Sequence, residues 1–168
     1  MSEYRAAPRN SASTFEPIPV ALVAATTKTV LQVATPSTTD IRVIGWGVTF
    51  DGVVGTAIPV ICELIDGDAA ATVTTLTPDG WGNSTAAASL CIGGATATGY
   101  NASGEGSAMS VVRALDAEHV HPQSGYGVYF PEVRVQPRVA ASRFLKIRCK
   151  AAASVNVLPW ILWAEPSI

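Results

Sequence analysis

From Ile18 onward, short runs of alternating apolar and polar residues follow one another with Gly, Asp, Asn or Pro between them, and this pattern constrains the fold most. The runs are Val20–Ala24, Thr29–Val33, Ile41–Phe50, Ile58–Ile65, Ala70–Leu76, Leu90–Ile92, Tyr126–Phe130 with Glu132–Val135, Phe144–Cys149 and Ser154–Trp163. Almost no amphipathic helix separates them. Strands without intervening helices cannot make the crossovers of a parallel sheet, so the expectation is all-β: an antiparallel β-sandwich, jelly-roll-like, over residues 18–168. Residues 1–17 are polar, carry Pro8 and Pro17 and show no sustained period, which predicts a flexible N-terminal arm that orders against a partner.

Several local expectations follow from the alternation. Val20–Ala24 and Thr29–Val33 read as a strand pair around Thr26-Thr27-Lys28. In Ile41–Phe50, Ile44, Trp46, Val48 and Phe50 share one face. The opposite face, with Val43, Gly45, Gly47 and Thr49, is small enough for another layer to approach closely. Leu145, Ile147 and Cys149 face one way and Lys146, Arg148 and Lys150 the other. In the last run Val155, Val157, Ile161 and Trp163 share a face, so Trp160 and Trp163 point to opposite sides and one lies outside the core. Tyr126–Val135 reads as one strand broken at Pro131, Leu90-Cys91-Ile92 as a short strand, and Ala108–Ala117 as either a strand or one to two helical turns.

With 168 residues the chain makes one domain, and 48% hydrophobic against 14% charged residues excludes disorder as its overall state. A net charge of −2 supplies no field for steering onto nucleic acid or anionic lipid, so neither is an expected partner. No membrane span is expected: Gly80–Gly104 is too rich in Gly, Ser, Thr and Asn, and Ala151–Ala164 is broken by Pro159 and short of the ~20 residues a helix needs. The first residues lack a basic-then-apolar signal, which predicts a soluble protein without an export tag. Cys62, Cys91 and Cys149 are odd in number, far apart and in apolar context, which predicts buried reduced thiols, not a disulfide framework or a zinc site.

Motifs for chemistry are sparse. His119 and His121 could put two imidazoles on one strand face, as in a cupin-like metal enzyme. The Glu that such a motif places four or five residues on is replaced here by Gly125 and Tyr126, and a third ligand would have to be Asp116, Glu118 or Glu132. Asp66-Gly67-Asp68 is a fragment of a calcium loop without its remaining ligands and reads as a turn. There is no Gly-x-Ser-x-Gly, and neither Gly93-Gly94 nor Gly99–Gly106 spells a phosphate loop. The expectation is a non-enzyme without metal or cofactor. Residues 40–79 hold six acids against Arg42 alone, and residues 113–150 hold seven bases. Such blocks form either a solvated sheet face or a complementary surface, for head-to-tail contacts between subunits or against an acidic partner. Trp81, in Pro78-Asp79-Gly80-Trp81-Gly82, is a candidate interface anchor or sugar platform.

The polar arm, the Ala/Thr/Gly-rich strands and the segments Thr26–Thr39 (TTKTVLQVATPSTT) and Ile41–Gly52 (IRVIGWGVTFDG) resemble small virion proteins of phages of actinobacteria. The family is that of decoration, or cement, proteins of tailed bacteriophage capsids. The resemblance implies a symmetric homo-oligomer, a homotrimer in the simplest case, made in the host cytoplasm. It would sit on the capsid surface of the virion, bind the major capsid protein and stabilise the shell. On that reading the partner-binding residues are Tyr4, Arg5, Arg9 and Phe15 of the arm with Trp81. The rival reading is a carbohydrate- or receptor-binding jelly-roll module of a phage tail, with Trp81, Tyr100 or Tyr126 as its stacking platform.

Overall fold

The structure is a computed structural model and describes residues 1–10, 16–51, 58–82 and 87–166. Its strands, in chain order, are β1 (Ser2–Ala6), β2 (Val20–Leu22), β3 (Thr27–Ala34), β4 (Ile41–Asp51), β5 (Val60–Gly67), β6 (Thr72–Thr75), β7 (Asp79–Gly80), β8 (Gly99–Gly104), β9 (Val112–Val120), β10 (Gly125–Tyr129), β11 (Arg138–Val139), β12 (Phe144–Lys150) and β13 (Val155–Glu165). No helix occurs among the described residues. Seven strands form one sheet in the order β10-β4-β13-β1-β7; β11 lies beside β10 along β4, and β2 beside β1 along β13. The other sheet runs β6-β8-β3-β12-β5-β9. All these pairings are antiparallel, and the two sheets pack face to face as the β-sandwich expected from the sequence.

The connectivity has a simple logic. The pairs β2·β13, β3·β12, β4·β10 and β5·β9 are successive rungs of one long antiparallel hairpin. Pairing of β4 with β13 and of β5 with β12 rolls that hairpin closed, and alternate rungs fall into opposite sheets. The core between the sheets is built from alternating positions: Trp46, Val48, Val157, Ile161 and Trp163 from the first, and Leu31, Val33, Leu64, Leu145 and Ile147 from the second, all fully buried.

Two carboxylates, the half-buried Asp116 and the buried Glu165, hold the two core indoles. Asp116 on β9 crosses to the other sheet, where its Oδ2 accepts from Trp46 Nε1 at 3.0 Å and from the Tyr126 hydroxyl at 2.8 Å. Glu165 is buried, and it accepts from Trp163 Nε1 at 2.9 Å, Leu90 N at 2.8 Å and Ser89 Oγ at 2.5 Å. Each carboxylate is thereby paired with donors, which is what makes its burial tolerable.

Several expectations are corrected. Ser2–Ala6 is not a free arm: it is β1, an internal strand of the seven-stranded sheet between β13 and β7. Tyr4 and Ala6, two residues apart, face the core, and the Tyr4 hydroxyl donates to Ala87 O at 2.8 Å. Two apolar residues are too short a run for alternation to stand out beside the prolines. Val20–Leu22 and Thr27–Ala34 are adjacent in sequence but lie in opposite sheets, because Ala25 turns the chain with φ +61°. Glu132–Val135 does not continue β10; it forms a turn closed by Val135 N to Glu132 O at 2.9 Å. Leu90–Ile92 is not a strand, and its backbone is held by the Glu165 side chain. On β4 a register shift opposite Leu162/Trp163 moves the buried positions from Trp46 and Val48 to Ile41 and Val43, leaving Ile44 outside the core. Lys146 is buried despite its outward-facing position, because the chain around Ala71, Ala97 and Glu105 covers that side of the sheet. Gln32 beside it fixes this cover through Ala97 O and Ala71 N, and burial lowers the Lys146 pKa.

Candidate partner-binding face

The outer face of the seven-stranded sheet is where the alternation puts its unusual residues. Outward positions on four strands come into one row by register: Tyr129 lies opposite Gly45, Gly45 opposite Leu162, and Leu162 opposite Arg5. The next row is Gly127, Gly47 and Trp160. At the far end Asp79 pairs with Arg5, and the backbone N–H of Trp81 donates to Glu3 O at 2.8 Å, which brings the Trp81 loop onto the same face.

Glycines make room for the rings. A Cβ on Gly47 would stand 2.6 Å from Trp160 Nε1 and 2.7 Å from Cε2, and one on Gly127 would stand 3.3 Å from Cζ2 of the same indole. The indole of Trp160 therefore crosses from β13 over β4 to β10, occupying the space two side chains would take. A Cβ on Gly45 would stand 2.9 Å from Tyr129 Cδ1. The Tyr129 and Trp160 rings are 5.2 Å apart between centroids and inclined by 31°. At the other end the Arg5 guanidinium carbon sits 5.0 Å from the Trp81 ring centroid, a cation–π contact that spreads both side chains on the surface. Arg5, Trp81, Tyr129, Trp160 and Leu162 line one depression of about 140 Å³. It shares Arg5 and Trp160 with a second, of about 280 Å³, whose wall includes Pro8, Arg9, Pro17 and Leu158. Trp81 is 49% exposed and Tyr129 59%, so large apolar rings face outward here.

Three of the five residues singled out from the sequence meet on this face: Arg5 and Trp81 in contact, and Arg9 beside them, bound to Asp79 at 2.5 Å. Tyr4 is in the core, 6.2 Å from the Trp163 ring, and offers no partner surface. Phe15 lies outside the described residues. Tyr129 and Trp160 were not singled out, although the small Gly45/Gly47 face and the opposed Trp160/Trp163 pair are the signals that lead to them. Of the other aromatics proposed for a platform, Tyr126 packs on Trp46 at 5.2 Å and Tyr100 is on β8 of the other sheet.

The acidic and basic blocks do not form opposed surfaces. They meet within the chain: Glu63 with Arg148 at 2.5 Å, Asp66 with Arg113 at 3.0 Å and Arg143 at 2.9 Å, and Asp40 with Arg138 at 2.5 Å. Strand order explains this, since β5 lies between β9 and β12, and β11 lies against the start of β4. Cys62, Cys91 and Cys149 are buried free thiols, as expected. Burial and the Glu165 charge raise the Cys91 pKa, which keeps that thiol protonated and unreactive. His119 is exposed on β9, and His121 shapes the following turn, its Nδ1 accepting from Gln123 N at 3.1 Å. Among the described residues no group of three His, Cys, Asp or Glu side chains is placed to hold a metal ion. The carboxylates of Asp66 and Asp68 are taken up by arginines and by the Ser110–Val111 amides respectively.

No family model, curated protein or solved structure matches the chain.

Proposed function

We propose that the protein is a structural virion component that decorates a phage capsid, seating itself on the major capsid protein through the outer face of its seven-stranded sheet. The observation that carries this reading is the set of exposed Trp81 and Tyr129 with half-buried Arg5 and Trp160, gathered on a glycine-backed sheet and the loop beside it. Trp, Tyr and Arg are the residue types that dominate interface energetics, and anchors held on strands lose little freedom on binding. At the rim Arg9 is paired with Asp79 and Arg5 lies over Trp81, so shape and apolar burial would govern the contact more than steering does.

The size of the face fits a lattice role. Five strands at ~4.8 Å spacing and about five residues along each give a patch on the order of 300 Å². A stable one-to-one interface needs about 800 Å² per partner. A patch this small binds weakly alone and holds through repetition on a shell, where linked subunits add their contacts. The rolled-hairpin winding of the sandwich supports the jelly-roll reading, an architecture of capsid and lectin domains alike.

A second reading, a glycan-binding tail module, is favoured by one observation: the Trp81 and Tyr129 rings are exposed on the same face, where an aromatic ring can stack on the apolar face of a sugar. A single variant separates the two. Trp81→Ala/Tyr129→Ala/Trp160→Ala, checked for a native circular dichroism spectrum, is expected to lose binding to empty capsids lacking the protein. Undiminished capsid binding by a folded triple variant would refute the reading. Loss of retention on host cell-wall polysaccharide, with capsid binding intact, would establish the second.

A further inference from the structure

The two sheets are joined by an arginine cluster around a pocket of about 470 Å³. Its wall carries three guanidiniums, from Arg113, Arg138 and Arg143, two carboxylates, from Asp40 and Asp66, and two small apolar side chains, Val111 and Ala140. Asp66 is buried and orients two of the arginines: its Oδ1 accepts from Arg143 Nε at 2.9 Å and its Oδ2 from Arg113 Nη2 at 3.0 Å. Arg143 Nη2 also reaches Val111 O at 3.3 Å, and Arg113 Nη2 donates to Arg138 O. Arg138 Nε donates to Asp40 Oδ2 at 2.6 Å.

We infer that this pocket is a binding site for a carboxylate, held by the guanidinium groups of Arg113, Arg138 and Arg143. Three fixed positive charges face two negative ones, so the wall keeps one uncompensated charge. Asp68, the next acid along the chain, does not line the pocket; its oxygens serve Ser110 and Val111 N. The internal bonds use Nε and Nη2 of Arg138 and Arg143 and Nη2 of Arg113, and none of these bonds uses Nη1. A guanidinium N–H makes a short, charge-assisted hydrogen bond to a carboxylate oxygen. Val111, 55% exposed, and Ala140 give a short apolar stem a surface to lie on, which suits a side-chain or chain-terminal carboxylate of a partner. The arginines are pre-placed, so little ordering cost opposes binding.

The test uses the full chain and titrates it with glutarate, acetate, inorganic phosphate and chloride at constant ionic strength, following backbone and arginine side-chain NMR shifts. Saturable shifts confined to Val111, Arg113, Arg138, Ala140 and Arg143 are expected with glutarate and acetate, with chloride giving none. Arg138→Gln, at a side chain 63% exposed and therefore dispensable for folding, is expected to weaken carboxylate binding about tenfold, the loss of one charge-assisted contact. Phosphate binding tighter than either carboxylate would overturn the assignment of ligand class. Linear, unsaturated shifts with every anion, or saturation unchanged in Arg138→Gln, would overturn the site.

Discussion

Gly47→Ala isolates the claim that the glycines of β4 exist to seat the outer rings. The added methyl would lie 2.5 Å from Tyr126 O and 2.6 Å from Trp160 Nε1. Ordinary carbon contacts begin near 3.5 Å, so about 1 Å must be found on two sides at once. The indole can swing away, but the Tyr126 carbonyl belongs to the β4·β10 ladder and can move only with its strand. Overpacking of this kind costs about 1–3 kcal/mol, and the backbone contact places this case in the upper half. For a chain of this length that is a fall in Tm of roughly 4–10 °C. Gly104→Ala is the matched control: nothing lies within 4 Å of its Cβ, and its φ is not positive, so it is expected to be neutral or to stabilise by about 0.4–1 kcal/mol. Thermal unfolding of both variants, with tryptophan emission as the probe of Trp160, makes the comparison. Adding Trp160→Ala should recover part of the Gly47→Ala loss, a coupling expected only for touching residues. Equal Tm values for Gly47→Ala and Gly104→Ala, with unshifted emission, would refute the seating argument.

Three further outcomes follow from the packing. Asp66→Ala strands the mostly buried Arg143 and should cost about 3–5 kcal/mol in urea unfolding, whereas Arg113→Gln, at a half-exposed side chain, should cost under ~1 kcal/mol; equal losses would contradict the assignment of Asp66 as the buried counter-ion of Arg143. Deleting residues 1–6 removes Tyr4 and Ala6 from the core and is expected to lower stability by at least ~3 kcal/mol, so an unchanged unfolding midpoint would restore the free-arm expectation. Burial and the adjacent Asp116 push the Tyr126 pKa up to about 12. The neutral phenol is thus favoured by folding: its contribution is intact below its unfolded pKa of ~10 and is lost as pH rises through the folded value. Ultraviolet titration of phenolate absorbance in wild type and Tyr126→Phe should assign the late-titrating tyrosine to this residue; identical curves would remove it.

The sandwich was legible because its long strands are half-buried. Alternation in Phe144–Cys149 and Val155–Trp163 fixes inside and outside directly, and the opposed tryptophans already imply an aromatic on the outer surface. What stayed hidden depends on contacts distant in sequence. β1 is recognisable as a strand only once β13 offers it an edge, and Tyr4 a core only once Trp163 is in place. The charge blocks look like separate surfaces until strand order sets β5 between β9 and β12. The shift on β4 cannot be read from composition, since Ile44 and Val43 are equally suited to burial, and only the partner strand decides between them. Of the candidate site, Trp81 and Arg5 were visible as residue types in a loop and a polar segment. Tyr129 and Trp160 required the glycine strip to be read as a seat for rings, not as a gap between layers.

The most direct test of the proposed virion role is the copy number of this chain in purified particles of the phage that the proposal takes as its source, by quantitative mass spectrometry against the major capsid protein. Decoration of a capsid lattice through a small repeated face requires copies in numbers comparable with the capsid protein itself. A few dozen copies per particle would contradict capsid decoration in favour of a tail-borne binding module, and absence from the particle would contradict a structural role in the virion altogether.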